Sequence, residues 1–227
     1  MSGLFVTGTD TGVGKTEVTL GLMAGLQQRG LTVLGMKPVA SDGRVGDQGV
    51  RCEDALRIQA RASVPMDYDT VNPYAFEPAI APHVAAGRAG VEIELGRIRE
   101  SYRALAARAD HVIVEGVGGW RVPLGPCLAV DDLPGALDLP VVLVVGLRLG
   151  CLNHSLLTVE SILDRGLSLA GWVANLLDPD MSALDENIAT LAALIEAPNL
   201  GTVPWLDGPD PDLVAMHLNL DPLLVQR

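Results

Sequence analysis

The stretch FVTGTDTGVGKTEVTL, Phe5 to Leu20, begins as an apolar and β-branched run, breaks into glycines, and resumes behind Lys15 and Thr16 as a helical pattern. A phosphate cradle needs this order. Glycines let several backbone N–H groups converge on anionic oxygens, a lysine meets the β/γ charge, and a Ser or Thr hydroxyl reaches Mg²⁺. The helix that follows adds the positive end of its dipole. The spacing differs from the standard loop: five residues, not four, separate Gly8 from Gly14. A dinucleotide fingerprint is excluded, because Gly12-x-Gly14-x-x is completed by Glu17 instead of a small residue. The stretch predicts a nucleotide site and an α/β fold, but it does not name the acceptor of the phosphate.

The rest of the chain fits that beginning. Short apolar runs at Leu4–Thr7, Thr32–Met36, His111–Glu115, Val141–Val145, Leu169–Asn175 and Asn199–Val203 read as strands. Several are apolar at consecutive positions, as strands covered on both faces must be. Helical patterns lie between them at Lys15–Arg29, Glu53–Ala60, Glu92–Ala109, Asn153–Arg165 and Ser182–Glu196. The alternation predicts one domain over residues 1–227: a mostly parallel central β-sheet flanked by helices on both faces. In the first helix Val18, Leu22 and Leu26 repeat every four residues beside a row of Gly21 and Gly25, which would let it approach the sheet closely. Residues 63–82, rich in Pro and Tyr, read as an ordered loop facing substrate, and the last 20 residues, with repeated Asp-Pro, as a surface tail.

Composition narrows the function. A net charge of −12 repels nucleic acid and anionic membranes, so neither is an expected partner, and any phosphate site must be a local positive pocket. The longest apolar run, Leu139–Gly146, is too short to span a bilayer, and no secretory leader is visible. Cys52, Cys127 and Cys151 are scattered, which suits reduced thiols in a cytoplasmic protein. The four histidines have no zinc-ligand spacing, and no Gly-x-Ser-x-Gly nucleophile motif is present.

Three further residues carry chemistry by position. Glu115 ends a strand ahead of Gly116, Val117 and Gly118, where open α/β sheets bind ligands. Lys37 precedes Pro38 at the end of the second strand, so it projects from a loop at the same edge and can stabilise a transferring phosphoryl group. Asp54 opens a helix, where an acid alone reads as a partner of the helix dipole.

Seven blocks then occur in order: FVTGTDTGVGKT (5–16), KPVASD (37–42), TVNPYAF (70–76), VEGVGGW (114–120), LGCLNH (149–154), GWVAN (171–175) and VPWL (203–206). Together they resemble the dethiobiotin synthetases, ligases of biotin synthesis, from Leu4 to Leu206. The resemblance implies a homodimeric P-loop enzyme with its site at the subunit interface. It would use 7,8-diaminononanoate, CO₂ or bicarbonate, Mg²⁺ and ATP; use of CTP or another nucleoside triphosphate is a separate expectation, drawn from Leu176, where the chain departs from the family pattern. By position, Gly12, Val13, Gly14, Lys15, Thr16 and Glu17 would bind nucleotide with Gly116, Val117 and Gly118. Thr16, Asp54 and Glu115 would hold Mg²⁺, which turns Asp54 from dipole partner to ligand. Lys37 and Lys15 would be catalytic. Thr11, Ser41, Gly118 and Asn153 would contact the diamine, and Asn175, Pro204, Trp205 and Leu206 would line the base pocket. The chain departs from the pattern at Gly12, where relatives often carry Glu, and at Leu176, where Asp is common; the second change removes a polar group beside the base. A partner-controlled nucleotide switch of the ParA-like kind shares such a loop, but its basic or amphipathic surfaces are missing from this acidic sequence.

Overall fold

The computed structural model describes residues 3–208 and 210–224. Six strands form the central sheet: β1 (Gly3–Gly8), β2 (Val33–Met36), β3 (His111–Glu115), β4 (Val141–Leu147), β5 (Leu169–Leu176) and β6 (Asn199–Val203). Their order is β6-β5-β4-β1-β3-β2, and every neighbouring pair is parallel. The longer helices are α1 (Lys15–Gln28), α2 (Glu53–Ala60), α3 (Pro82–Ala89), α4 (Leu95–Ala106), α5 (Cys151–Asp164) and α6 (Leu184–Leu194). No helix among the described residues is long and apolar enough to cross a membrane.

Side-chain alternation along the strands explains why the apolar runs are continuous. Val142 and Val144 of β4 enter the larger apolar cluster with Leu22 and Leu26 of α1. Leu143, Val145 and Leu147 turn the other way, into a second cluster with Val159 of α5 and Leu191 of α6. Successive residues of a strand point to opposite faces, so burial of all seven means both faces are covered.

Strand register decides where the chemistry can occur. Met36 of β2 pairs with Val114 of β3, which places the next residues, Lys37 and Glu115, side by side. Val6 of β1 pairs with Glu115, two residues before β1 runs out into the glycine loop. On the other side Gly146, Asn175 and Val203 are in register across β4, β5 and β6. Thus the carboxyl ends of all six strands meet on one edge.

Three expectations change. The long helix expected over 92–109 is shorter, Leu95–Ala106, and a separate helix, α3, starts at Pro82. The C-terminal segment is not a surface tail: Val214 and Leu220 are fully or nearly fully buried. Its Asp-Pro pairs start short helices, Pro211–Ala215 and Asp221–Leu224, and Asp210 accepts bonds from the N–H groups of Asp212 and Leu213. Asp as cap with Pro in the first helical position is a helix start as well as a turn signal. The glycine row of α1 faces these helices and not the sheet. A Cβ at Gly21 would lie 2.5 Å from Val214 Cγ1, and one at Gly25 would lie 2.7 Å from Leu220 Cδ1.

That contact can be tested. Gly21→Val should overpack the joint and lower stability by about 2 kcal/mol in urea unfolding. Adding Val214→Ala should recover part of the loss, so the double variant will be more stable than the sum of the singles predicts. Additive behaviour would place the C-terminal helix elsewhere.

Candidate nucleotide and substrate site

The loop between β1 and α1 closes over the carboxyl edge. Gly14 caps α1 in a left-handed conformation, with φ of 87°, and a Cβ there would strike the Asn175 amide. Only glycine fits both demands. Asn175 Nδ2 donates to the Val13 carbonyl at 2.9 Å and so ties the loop to β5. Arg148, just beyond β4, pairs with Asp10 at 2.5 Å, and Asp10 also accepts the Thr11 N–H.

Beside the loop lies a cleft of about 730 Å³. Thr11, Gly12, Gly14, Lys15, Thr16 and Glu17 form one wall, and Lys37, Ser41, Asp54, Glu115, Val117 and Gly118 also line it. Gly12 and Gly118 both adopt positive φ, 73° and 68°, and a Cβ at Gly12 would meet nothing within 4 Å. A glutamate side chain at position 12, expected from the family pattern, would extend into open space.

At the base of the cleft the carboxylate of Glu115 is fully buried. Its Oε1 accepts from Thr16 Oγ1 at 2.9 Å and from Lys37 Nζ. Lys37 Nζ also reaches Asp54 Oδ2 at 3.2 Å. Burial alone would push the Lys37 ammonium down, but the Glu115 and Asp54 carboxylates outweigh it and hold it above the ordinary lysine value. Burial likewise would raise Asp54, but Lys37 prevails and keeps it below the usual carboxylate range. Lys15 lacks such close acids. Burial first and the Lys37 charge second push it down to about 8, and its Nζ donates to the Asp10 carbonyl at 2.9 Å.

Mg²⁺ takes hard oxygen donors, few of them from protein, and shares the rest of its shell with water and phosphate. Thr16, Asp54 and Glu115 fit that demand. Glu115 Oε2 is buried and has no hydrogen-bond partner, so one carboxylate oxygen is left for a cation. Among the described residues no cluster of three or more His, Cys, Asp or Glu is placed to hold a metal.

Other expected residues lie apart from this cleft. Val13 is buried behind the loop and Gly116 packs against Phe5 and Val130. The Glu17 carboxylate, although at the cleft wall, is held by Arg57. Pro204, Trp205 and Leu206 follow β6 on the same edge, with Trp205 55% exposed, but they do not line the cleft. Leu176 packs against the second apolar cluster, so it is not a cleft residue either. Asn153 is exposed near the start of α5 and outside the cleft. Sequence reading missed Asp42, which sits at φ 68° beside Ser41 and lines the cleft; Asp tolerates the left-handed region, a local signal without a ligand pattern. Of residues 63–82, expected to face substrate, Ala79 to Pro82 form an apolar wall of the cleft.

The family described as an AAA domain matches residues 2–212. The chain is 53% identical over 224 residues to the ATP-dependent dethiobiotin synthetase BioD of Pseudomonas paraeruginosa, covering 98% of each. The like-named protein of Cellvibrio japonicus is 52% identical over 97% of this chain and 96% of its own length. That of Aromatoleum aromaticum is 49% identical over 95% and 96%. Among solved structures, the MinC:MinD complex of Aquifex aeolicus superposes with a TM-score of 0.56 at 12% identity, covering 97% of this chain and 87% of that one. MinD with Mg-ADP from Pyrococcus horikoshii gives 0.52 at 17%, covering 96% and 87%. At such identity the structures show a shared P-loop NTPase fold and nothing finer.

The lysine shift predicts proton linkage. With the folded value near 8 and the unfolded one at 10.5, the cost of burying charged Lys15 is fully present below pH 8 and is relieved between those values. A bound triphosphate should restore the ammonium, with uptake on the order of half a proton per nucleotide near pH 8.5. Calorimetry in buffers of different ionisation enthalpy reads this directly. Lys15→Gln should abolish the uptake; none in the unaltered protein would contradict the assignment.

Proposed function

The chain belongs to the dethiobiotin synthetase family, and from that premise we propose that it makes dethiobiotin in biotin biosynthesis. The substrates would be 7,8-diaminononanoate, CO₂ or bicarbonate, and a nucleoside triphosphate, with ATP as the named co-substrate of the relatives. The observation that carries the reading is the second lysine: Lys37 stands at the cleft floor beside Lys15, Thr16, Asp54 and Glu115. Bringing a second anion against a triphosphate needs more positive charge.

The reaction balances in three steps. One amine of the substrate adds to CO₂ and releases a proton, giving a carbamate. A carbamate oxygen attacks the γ-phosphorus and the nucleoside diphosphate leaves, giving a carbamic–phosphoric anhydride. The second amine attacks the carbonyl carbon, loses a proton and expels phosphate as the ureido ring closes. In this reading Gly12 to Thr16 cradle the phosphates on the α1 N-terminus, and Lys15 follows the β/γ charge. Lys37 holds the carbamate and the phosphoryl group as charge develops between them. Thr11, Ser41 and Gly118 orient the diamine along the wall of Ala79 to Pro82. Thr16, Asp54 and Glu115 would hold Mg²⁺, which when bound supplies charge neutralisation for the triphosphate.

The reading includes a cytoplasmic homodimer. Its support is that Asn153 is exposed and does not line the cleft of its own chain, and that Leu149 and Leu157 near it are 99% and 57% exposed. A second copy would cover those leucines and bring its Asn153 to the carboxylate of the diamine. For Asn175 and Pro204 to Leu206, the base pocket remains the proposed role, with Asn175 acting through the loop carbonyl that it holds.

Incubation with diamine, bicarbonate, Mg²⁺ and ATP, followed by mass spectrometry, should yield dethiobiotin. Nucleotide hydrolysis without that product would sink the proposal. Lys37→Ala should bind nucleotide within a few-fold of the unaltered protein and lose about 100-fold or more in turnover. Undiminished turnover would remove Lys37 from the chemistry.

A further inference from the structure

A second joint between α1 and α2 lies one residue from the metal donors and has no part in the steps above. Arg57 Nη1 donates to Glu17 Oε1 at 2.5 Å, and Nη2 donates to Glu17 Oε2 at 2.8 Å. Two parallel bonds between planar groups fix orientation as well as distance. The side chains are 32% and 23% exposed, so the pair is screened less than one in open water.

Its position gives it a use. Glu17 follows Thr16 in the first turn of α1, and Arg57 follows Asp54 by three residues on α2. Residues three apart on a helix share a face, so Asp54 and Arg57 meet α1 together. Helix α2 has only eight residues and no side-chain cap at Cys52. Ala55 and Ile58 are buried, and a Cβ at Gly35 of β2 would collide with Ile58, so these residues seat α2 on the sheet. That contact is apolar and non-directional. The fork is a directional contact between α1 and α2 and lies within one turn of Asp54, whose carboxylate also meets Lys37. Arg57 also neutralises Glu17, a cleft-wall carboxylate that would otherwise face an arriving triphosphate.

We propose that Glu17 and Arg57 are a positioning pair, holding Asp54 where it and Thr16 can serve one divalent cation, and so setting the affinity of the site for Mg²⁺. The inference rests on reading Asp54 as a metal donor. The test is calorimetric binding of ATP across a Mg²⁺ series and in EDTA, on variants whose melting shows them folded. Glu17→Gln and Arg57→Gln should each raise the Mg²⁺ concentration for half-maximal effect about 10-fold, the lower end for groups that orient metal ligands. The double variant should be no worse than the worse single, because both remove one contact. Arg57→Lys, which keeps the charge without the fork, should recover only part. Asp54→Asn must raise the same midpoint. If it does and the fork variants do not, the positioning role is overturned while the metal reading stands. If Asp54→Asn leaves the midpoint unchanged, both fall. Equal weakening with Mg²⁺ and in EDTA would mark a structural role only and would also overturn the inference.

Discussion

A fully buried carboxylate, that of Glu115, organises the carboxyl edge of the sheet. A charge removed from water costs several kcal/mol unless partners are supplied. Here they come from two other elements: the hydroxyl of Thr16 on α1 and the ammonium of Lys37 beyond β2. Asp54 on α2 then pairs with the same ammonium. Four segments distant in sequence are thus drawn to one point by a single electrostatic demand, and the cleft is what remains above them. Since breaking a buried pair from one side leaves the other charge bare, the floor of the site is also a fold constraint.

The surrounding field gives this cluster its meaning. With 28 acidic and 16 basic residues, the surface repels polyphosphates. An anionic ligand is therefore attracted only where helix dipole, loop amides and lysines outweigh the background. The site concentrates them: Lys15 and Lys37 both line it, and α1 points its N-terminus at it. Two acids near the cleft are neutralised in turn, Asp10 by Arg148 and Glu17 by Arg57. Local pairing, not bulk composition, sets the charge that an arriving anion would meet.

How much of this is legible in the sequence follows from which forces are local. The six strands and five of the six longer helices declare themselves through period and glycine punctuation, and α2 spans Glu53–Ala60 as its pattern predicts. Lys37 and Glu115 are legible because strand ends in a parallel sheet fall on one edge. Asp54 is not, since only the packing of α2 against α1 separates a dipole partner from a cleft acid. The partners of the glycine row in α1 lie nearly two hundred residues away, so spacing could show a close contact but not with what. Asp210-Pro211 fails differently: the same dipeptide opens a helix or a turn, and burial of Val214 decides between them. Asn175 is a third kind of case, because its block marks the residue while its bond to the Val13 carbonyl is visible only in space.

The two lysines, finally, cannot be equivalent. Each is buried and each repels the other, so the pair can keep two full charges only with enough anion nearby. The resident acids are placed against Lys37, which holds its proton above the ordinary value. Lys15 turns to a loop carbonyl, a weaker partner, and falls to about 8. The resident carboxylates thus answer the charge of Lys37 more fully than that of Lys15. Under the proposed function a triphosphate at the loop would be the further anion that raises Lys15 again. A single-lysine loop has no such asymmetry, because nothing there competes for the carboxylates. The arrangement makes Lys37 a fixed charge in the floor and, under the proposed function, leaves Lys15 as the one that would answer to nucleotide.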